Sequence, residues 1–327
     1  MNGSPFPLWS PQLWRAYGIT LRPYLLFVSG AGGLLGLALV PAPAPAATSL
    51  AIFAALFFAY GLGQALTDVF QIDTDRISSP YRPLVRGEIS SAQVLGLSAA
   101  GLALCGLVLA VHSPATLVLA ALSVLGLLTY TPLKRRWWGG PAWNAWIVAL
   151  LPGLGYLAGA RAPLAALASV RIALAAASCF FSYAVFVILG YLKDARADRA
   201  TGYQTVVVRF GSQPAILCSA GCALAAVVAS TALVVPVALA PGRPLPAIAG
   251  AGLWAWGLVT LVFGHLQGWR VERDEEAFPA VASSVRGFVA LHLGEAALLR
   301  PEWTWSGLAL LALFELFLRA RPERSQI

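Results

Sequence analysis

The chain has 327 residues, of which 59% are hydrophobic and 11% charged, with a net charge of +8. Soluble domains carry about 25% charged residues, so this composition and a mean hydropathy of +0.75 exclude a soluble fold and indicate an integral membrane protein. The apolar runs are helix-length rather than ten-residue alternations, which excludes an outer-membrane barrel, and nearly the whole chain, 1–327, is used in one membrane domain.

The opening MNGSPFPLWSPQLWRAYGITLRP has no basic segment followed by a cleavage site, so no signal peptide is expected. Trp9, Trp14 and Arg15 predict a short interfacial helix instead. Hydropathy then predicts spans near 23–41, 47–66, 91–111, 114–131, 143–160, 171–190, 214–240 and 247–264, each close to the ~20 residues a bilayer core requires. Phe278–Leu298 and Trp303–Leu318 add two apolar runs, so nine or ten transmembrane helices are expected, ten if none is re-entrant.

The stretches 41–45, 112–114 and 240–246 read as short turns on one side, and 67–90, 132–142, 191–213 and 265–278 as long polar connections on the other. Seventeen of the 22 Lys and Arg fall on the long-loop side; Arg161, Arg171, Arg243, Arg286 and Arg300 do not. The positive-inside rule puts the long loops in the cytoplasm, as in a bacterial plasma membrane, and accounts for the basic charge without a nucleic-acid partner. Cys105, Cys179, Cys218 and Cys222 all sit in apolar runs, where neither a disulfide nor a metal site is expected of them.

The long connections carry the chemistry. Thr67–Glu88 reads TDVFQIDTDRISSPYRPLVRGE. On a helix continuing past the second span, Thr67, Asp68, Gln71 and Asp75 would share one face, with Asp73 pointing elsewhere. These are hard oxygen donors suited to Mg²⁺, which takes one or two carboxylates and completes its shell with water and substrate phosphate. The alternative is a solvated helix end with surface charges. The stretch YLKDARADRATGYQTVVVRFG at 191–211 repeats the arrangement: Asp194 and Asp198 are i,i+4 neighbours, Lys193, Arg196 and Arg199 surround them, Gly202 ends the helix, and the segment to Gly211 folds over the site. The competing reading is a salt-bridged surface loop. The two stretches predict a loose internal repeat that brings both acidic clusters to one end of a shared bundle.

Both stretches resemble the UbiA superfamily of intramembrane prenyltransferases, whose motifs run NDxxDxxxDRxxxPxRPLxxG and KDxxDxxGDRxxGxxTxxVRxG. Arg22-Pro23 before the first span and Tyr130-Thr131-Pro132-Leu133-Lys134-Arg135 after the fourth extend the resemblance over most of the chain. It implies an all-helical bundle around a central lipid-open cavity, with Mg²⁺ and an isoprenoid diphosphate held between the two motifs. Carried over to this chain, it implies Asp75, Asp194 and Asp198 as catalytic residues and Asp68, Gln71, Asp75, Asp194 and Asp198 as the metal set. Arg22, Arg82, Lys134, Lys193, Arg199 and Asn144 are the implied diphosphate contacts, with Arg22 alternatively an interfacial anchor and Asn144 alternatively a helix-start residue. The chain departs from the pattern at Thr67, where the family has Asn, and at Gln71, where it has Asp; Asp68, Asp75, Asp194 and Asp198 are kept.

Ionisation of an allylic diphosphate needs its developing charge neutralised and the carbocation kept dry among aromatic rings. Phe70, Tyr130, Trp143, Trp146, Phe180, Phe181, Tyr183 and Phe186 stand at a suitable depth. His292 and Glu295, i and i+3 inside an apolar run, should face the cavity or each other, as a base or as a structural pair. The expected activity is Mg²⁺-dependent transfer of a prenyl group from an isoprenoid diphosphate to an aromatic or quinone-precursor acceptor. The alternatives are cyclisation without an acceptor, and a non-catalytic lipid-binding or transport protein.

Overall fold

The computed structural model describes residues 5–239 and 245–323, and all the regular structure among them is helical. The expected turn at 240–246, with Arg243, and the last residues of the basic tail fall wholly or partly outside the described residues. In chain order the helices are α1 (Pro11–Thr20), α2 (Leu26–Ala38), α3 (Ala46–Asp68), α4 (Ile72–Ser78), α5 (Ser91–His112), α6 (Thr116–Lys134), α7 (Gly140–Ala149), α8 (Leu151–Ala160), α9 (Val170–Ala200), α10 (Val206–Phe210), α11 (Ser212–Ala238), α12 (Leu245–Gly268), α13 (Phe278–Leu299) and α14 (Thr304–Arg319).

Seven helices, with α7 and α8 as one, are long and apolar enough to cross a membrane, and α1 with Pro23–Ala38, bent by 48°, would make an eighth. The expectation of nine or ten adds α13, which carries Arg286, His292 and Glu295, and α14, which has 16 residues. α13 is buried along nearly its whole length and runs through the middle of the bundle. The outer faces of α5 and α6 expose Leu104, Leu107, Leu122 and Leu125, the surface lipid would cover. Trp9, just before α1, and Trp14, on it, are both exposed, as an interfacial helix requires.

Small residues set the closest helix contacts, as expected where lipid removes the hydrophobic drive between helices. A Cβ at Gly36 would stand 2.1 Å from the Pro152 carbonyl, and one at Gly294 would stand 2.4 Å from the Trp254 nitrogen. These contacts bring α2 against α8 and α12 against α13.

Two local features shape the polar end. α3 does not continue through the first motif: it stops at Asp68, and Gln71, at φ −124° and ψ 18°, starts the separate helix α4. The expected single helical face is therefore replaced by two short faces meeting at a corner, and that corner still buries Thr67, Asp68, Gln71 and Asp75. α9, by contrast, runs unbroken for 31 residues and carries the second motif at its end. It stops at Thr201, and Gly202 takes the left-handed φ of +79° that glycine accommodates.

Candidate functional site: a polar cleft joined to an apolar chamber

The ends of α3, α6 and α9, with α4, surround a cleft of about 700 Å³. Both acidic stretches reach it: Asp68, Gln71 and Asp75 from one side, Lys193 and Asp194 from the other, with Arg22, Arg82 and Lys134 between them.

Each carboxylate there has a different partner. Asp68 accepts Arg22 Nη2 on both oxygens, at 2.9 and 2.7 Å, and Gln64 Nε2 at 2.9 Å. Arg22 reaches it from a left-handed backbone at φ 51°, a conformation non-glycine residues rarely adopt; the kink between α1 and the 3₁₀ turn at Pro23–Leu25 turns the guanidinium inward. Asp75 is bound by Arg82, which also stands 3.6 Å from Asp68. Burial raises the Asp75 carboxyl above its ordinary value, while Arg82 acts in the opposite direction. Asp194 is held by the adjacent Lys193 at 3.3 Å.

The segment after α9 folds back onto the end of α6, and none of its residues lines the cleft. Tyr203 is fully buried, its ring packed against the Arg135 guanidinium at 4.6 Å, and the Gln204 nitrogen donates to the Arg135 carbonyl at 3.0 Å. Asp73 does point away from the cleft, pairing with Arg135 at 3.1 Å.

Toward the membrane interior lies a second cavity, of about 860 Å³, lined by aliphatic side chains such as Leu56, Leu102, Leu109, Leu127 and Leu154. Tyr60, Gln64, Tyr130, Asn144 and Tyr183 border both spaces. At this boundary the Tyr60 and Tyr183 hydroxyls are 2.7 Å apart, and Tyr130 and Tyr191 pair at 3.2 Å. An amphiphile with a charged head and a long apolar tail matches this arrangement of surfaces.

Several expectations need correction. Arg199 is exposed at the end of α9 and is absent from the cleft lining, because its position on the helix turns it outward. Asp198 is fully buried but does not line the cleft; it sits behind Lys134, 3.4 Å from Nζ. Phe70 is 43% exposed on the corner after α3. Trp143, Trp146, Phe180 and Phe181 line neither cavity, leaving Tyr130, Tyr183 and Phe186 of the aromatic set. Asn144 lines both cavities and caps no helix.

His292 and Glu295 face each other, with Nδ1 to Oε2 at 2.6 Å, and extend to Ser182 at 3.0 Å and Ser178 at 2.7 Å. This four-residue network is fully buried, ties α13 to α9 and touches neither cavity. Tyr60 and Tyr191 were missed, since single tyrosines inside apolar runs give no local signal. The pairing of Tyr60 with Tyr183 crosses 123 residues.

Among the described residues no three His, Cys, Asp or Glu side chains converge closely enough to hold a metal ion. The donor set nevertheless suits Mg²⁺ bound jointly by one or two carboxylates and substrate oxygens, since Asp75 and Asp194 line the same cleft.

Comparison with known proteins identifies the family and the fold. Residues 25–285 match the model of the UbiA prenyltransferase family. Digeranylgeranylglyceryl phosphate synthase of Halobacterium salinarum is 34% identical over 241 residues, covering 72% of this chain and 75% of that protein. Protoheme IX farnesyltransferase of Geobacter sulfurreducens is 36% identical over 148 residues, 44% of this chain and 54% of its own. Among solved structures, a UbiA homolog from Aeropyrum pernix K1 superposes with a TM-score of 0.66 at 21% identity, over 88% of this chain and 96% of its own. A UbiA homolog from Archaeoglobus fulgidus bound to DMAPP and Mg²⁺ gives 0.60 at 17% identity, over 84% and 98%. With the family model spanning most of the chain and a relative 34% identical over 72% of it, this integral membrane protein belongs to the UbiA prenyltransferase family.

Proposed function

We propose that the chain transfers a prenyl group from an isoprenoid diphosphate to a membrane-borne acceptor, with the diphosphate in the polar cleft and the prenyl chain in the apolar chamber. The observation that carries this reading is the junction of the two spaces at Tyr60, Gln64, Tyr130, Asn144 and Tyr183. A diphosphate ester has its scissile C–O bond where a charged head meets an apolar tail, so this junction is where the bond would lie.

Within this reading Arg22, Arg82, Lys134 and Lys193 hold the diphosphate and stabilise its charge as the C–O bond breaks, since fixed cations in a low-dielectric site need no reorganisation during the reaction. Mg²⁺, when bound through Asp75 and Asp194, would neutralise further charge on the leaving diphosphate. The Archaeoglobus fulgidus homolog, bound to DMAPP and Mg²⁺, supports an isoprenoid diphosphate and Mg²⁺ as the ligands. Tyr130, Tyr183 and Phe186 line the cleft, where aromatic rings would stabilise the ionised carbon and keep water from it. The basic loops beside the cleft support its placement on the cytoplasmic side of a prokaryotic plasma membrane.

For the acceptor, the relatives named digeranylgeranylglyceryl phosphate synthase favour an isoprenoid glyceryl phosphate over the aromatic acceptor expected from the motifs. Purified protein incubated with geranyl, farnesyl or geranylgeranyl diphosphate, Mg²⁺ and each acceptor class tests this. The expected product is a prenyl ether of the glyceryl phosphate. A prenylated aromatic would replace the acceptor assignment, a cyclic hydrocarbon formed without acceptor would replace transfer by cyclisation, and absence of diphosphate release under all conditions would overturn the reading.

A further inference from the structure

Lys134 ends α6 with its ammonium held between elements far apart in sequence. Nζ donates to Gln71 Oε1 at 3.1 Å and stands 3.4 Å from Asp198 Oδ1. The rings of Tyr191 and Tyr203 lie 5.6 and 5.2 Å away. Lys134 and Gln71 line the cleft; Asp198 does not.

Asp198 is fully buried, and neither of its carboxylate oxygens has a hydrogen-bond partner. A buried carboxylate needs a counter-charge, and the nearest cation is the ammonium that stands between it and the cleft. A divalent ion at Asp198 would have to displace Lys134 or sit beside a charge of its own sign. The other oxygen donor on that side, Gln71, is uncharged and already accepts from the same lysine. Asp194, one turn earlier on α9, opens to the cleft and is held only by Lys193 among the described residues.

We propose that Lys134 is a built-in cation for the diphosphate on the α6 side of the cleft, with Asp198 and Gln71 as its positioning residues, so that the site takes one divalent ion, on the Asp194 side. This deepens the diphosphate reading above and rests on it. It also changes the role of Asp198 from metal ligand to counter-ion of a substrate-binding lysine.

The test counts bound Mn²⁺ by electron paramagnetic resonance on the full chain in detergent, with geranylgeranyl S-thiolodiphosphate as a non-ionising probe. The parent should bind one Mn²⁺ per chain. Asp194→Asn should weaken Mn²⁺ by about tenfold or more, whereas Asp198→Asn should leave it within about threefold and weaken the probe instead. The double variant Lys134→Met/Asp198→Leu removes both buried charges, which guards against a folding failure of the single variant. It should still bind one Mn²⁺ while losing about tenfold or more in probe affinity. Two ions in the parent, or equal loss of Mn²⁺ affinity in Asp194→Asn and Asp198→Asn, would overturn the role of Lys134 and leave the diphosphate reading standing. A parent that binds no probe, with or without Mn²⁺, would overturn the diphosphate reading and this inference together.

Discussion

Asp68 and Asp75 reach the cleft from either side of a break between two helices, whereas Asp194 and Asp198 ride on the last turns of one continuous helix. The break leaves room for arginines: Arg22 engages both oxygens of Asp68, and Arg82 binds Asp75. The continuous helix instead fixes its two carboxylates one turn apart at different depths, one open to the cleft and one buried behind Lys134. Two stretches that look alike in sequence thus divide the work. The first anchors arginines, and the second offers one accessible carboxylate and one counter-ion.

The largest test of that division is Asp194→Asn. With the most accessible carboxylate removed, diphosphate release should fall by about 10³-fold, the loss typical of removing one key electrostatic group. Diphosphate release within about tenfold of the parent would remove Asp194 from the metal site.

Arg22→Met addresses the opposite side. It leaves Asp68 buried with Gln64 and the more distant Arg82, and breaking a buried pair by removing one partner costs about 3–5 kcal/mol. Denaturation in detergent should register that loss, and an unchanged midpoint would mean that Asp68 does not depend on Arg22.

The apolar chamber can be tested independently of both stretches. Ala120→Phe places a ring in its lining and should reduce transfer from geranylgeranyl relative to geranyl diphosphate by about tenfold, in line with the 1–3 kcal/mol that a small change in a hydrophobic pocket contributes. Equal effects on both substrates would mean that the prenyl chain lies elsewhere.

The smallest effect is expected at Arg199. Because its side chain is exposed away from the cleft, Arg199→Ala should leave kcat/KM within about twofold, as for surface substitutions generally. A large loss would restore it to the diphosphate site.

How far the site was legible can be judged residue by residue. Asp75, Asp194, Arg82 and Lys193, which line the cleft, stand out in the sequence because charge inside a membrane chain is costly. The end of α9 was legible from Gly202, the glycine that takes the left-handed φ just past the helix. Arg199 and Asp198 lie outside the cleft lining for different reasons. Helical rotation turns Arg199 outward, whereas at Asp198 spacing shows which residues share a face but not that Lys134 already occupies it.

The sequence by itself determined the membrane class, the approximate spans and the end of the bundle that carries the polar chemistry, because hydropathy and charge act locally along the chain. It also determined family membership, through motifs whose residue types are set by diphosphate chemistry. Only the tertiary structure decided that α3 breaks after Asp68, that Tyr60, Tyr130 and Tyr183 join two cavities, and that Lys134 stands between Gln71 and Asp198. Those features depend on contacts between side chains separated by roughly 60 to 120 residues, and in a crowded apolar bundle such contacts follow from packing rather than from any local pattern.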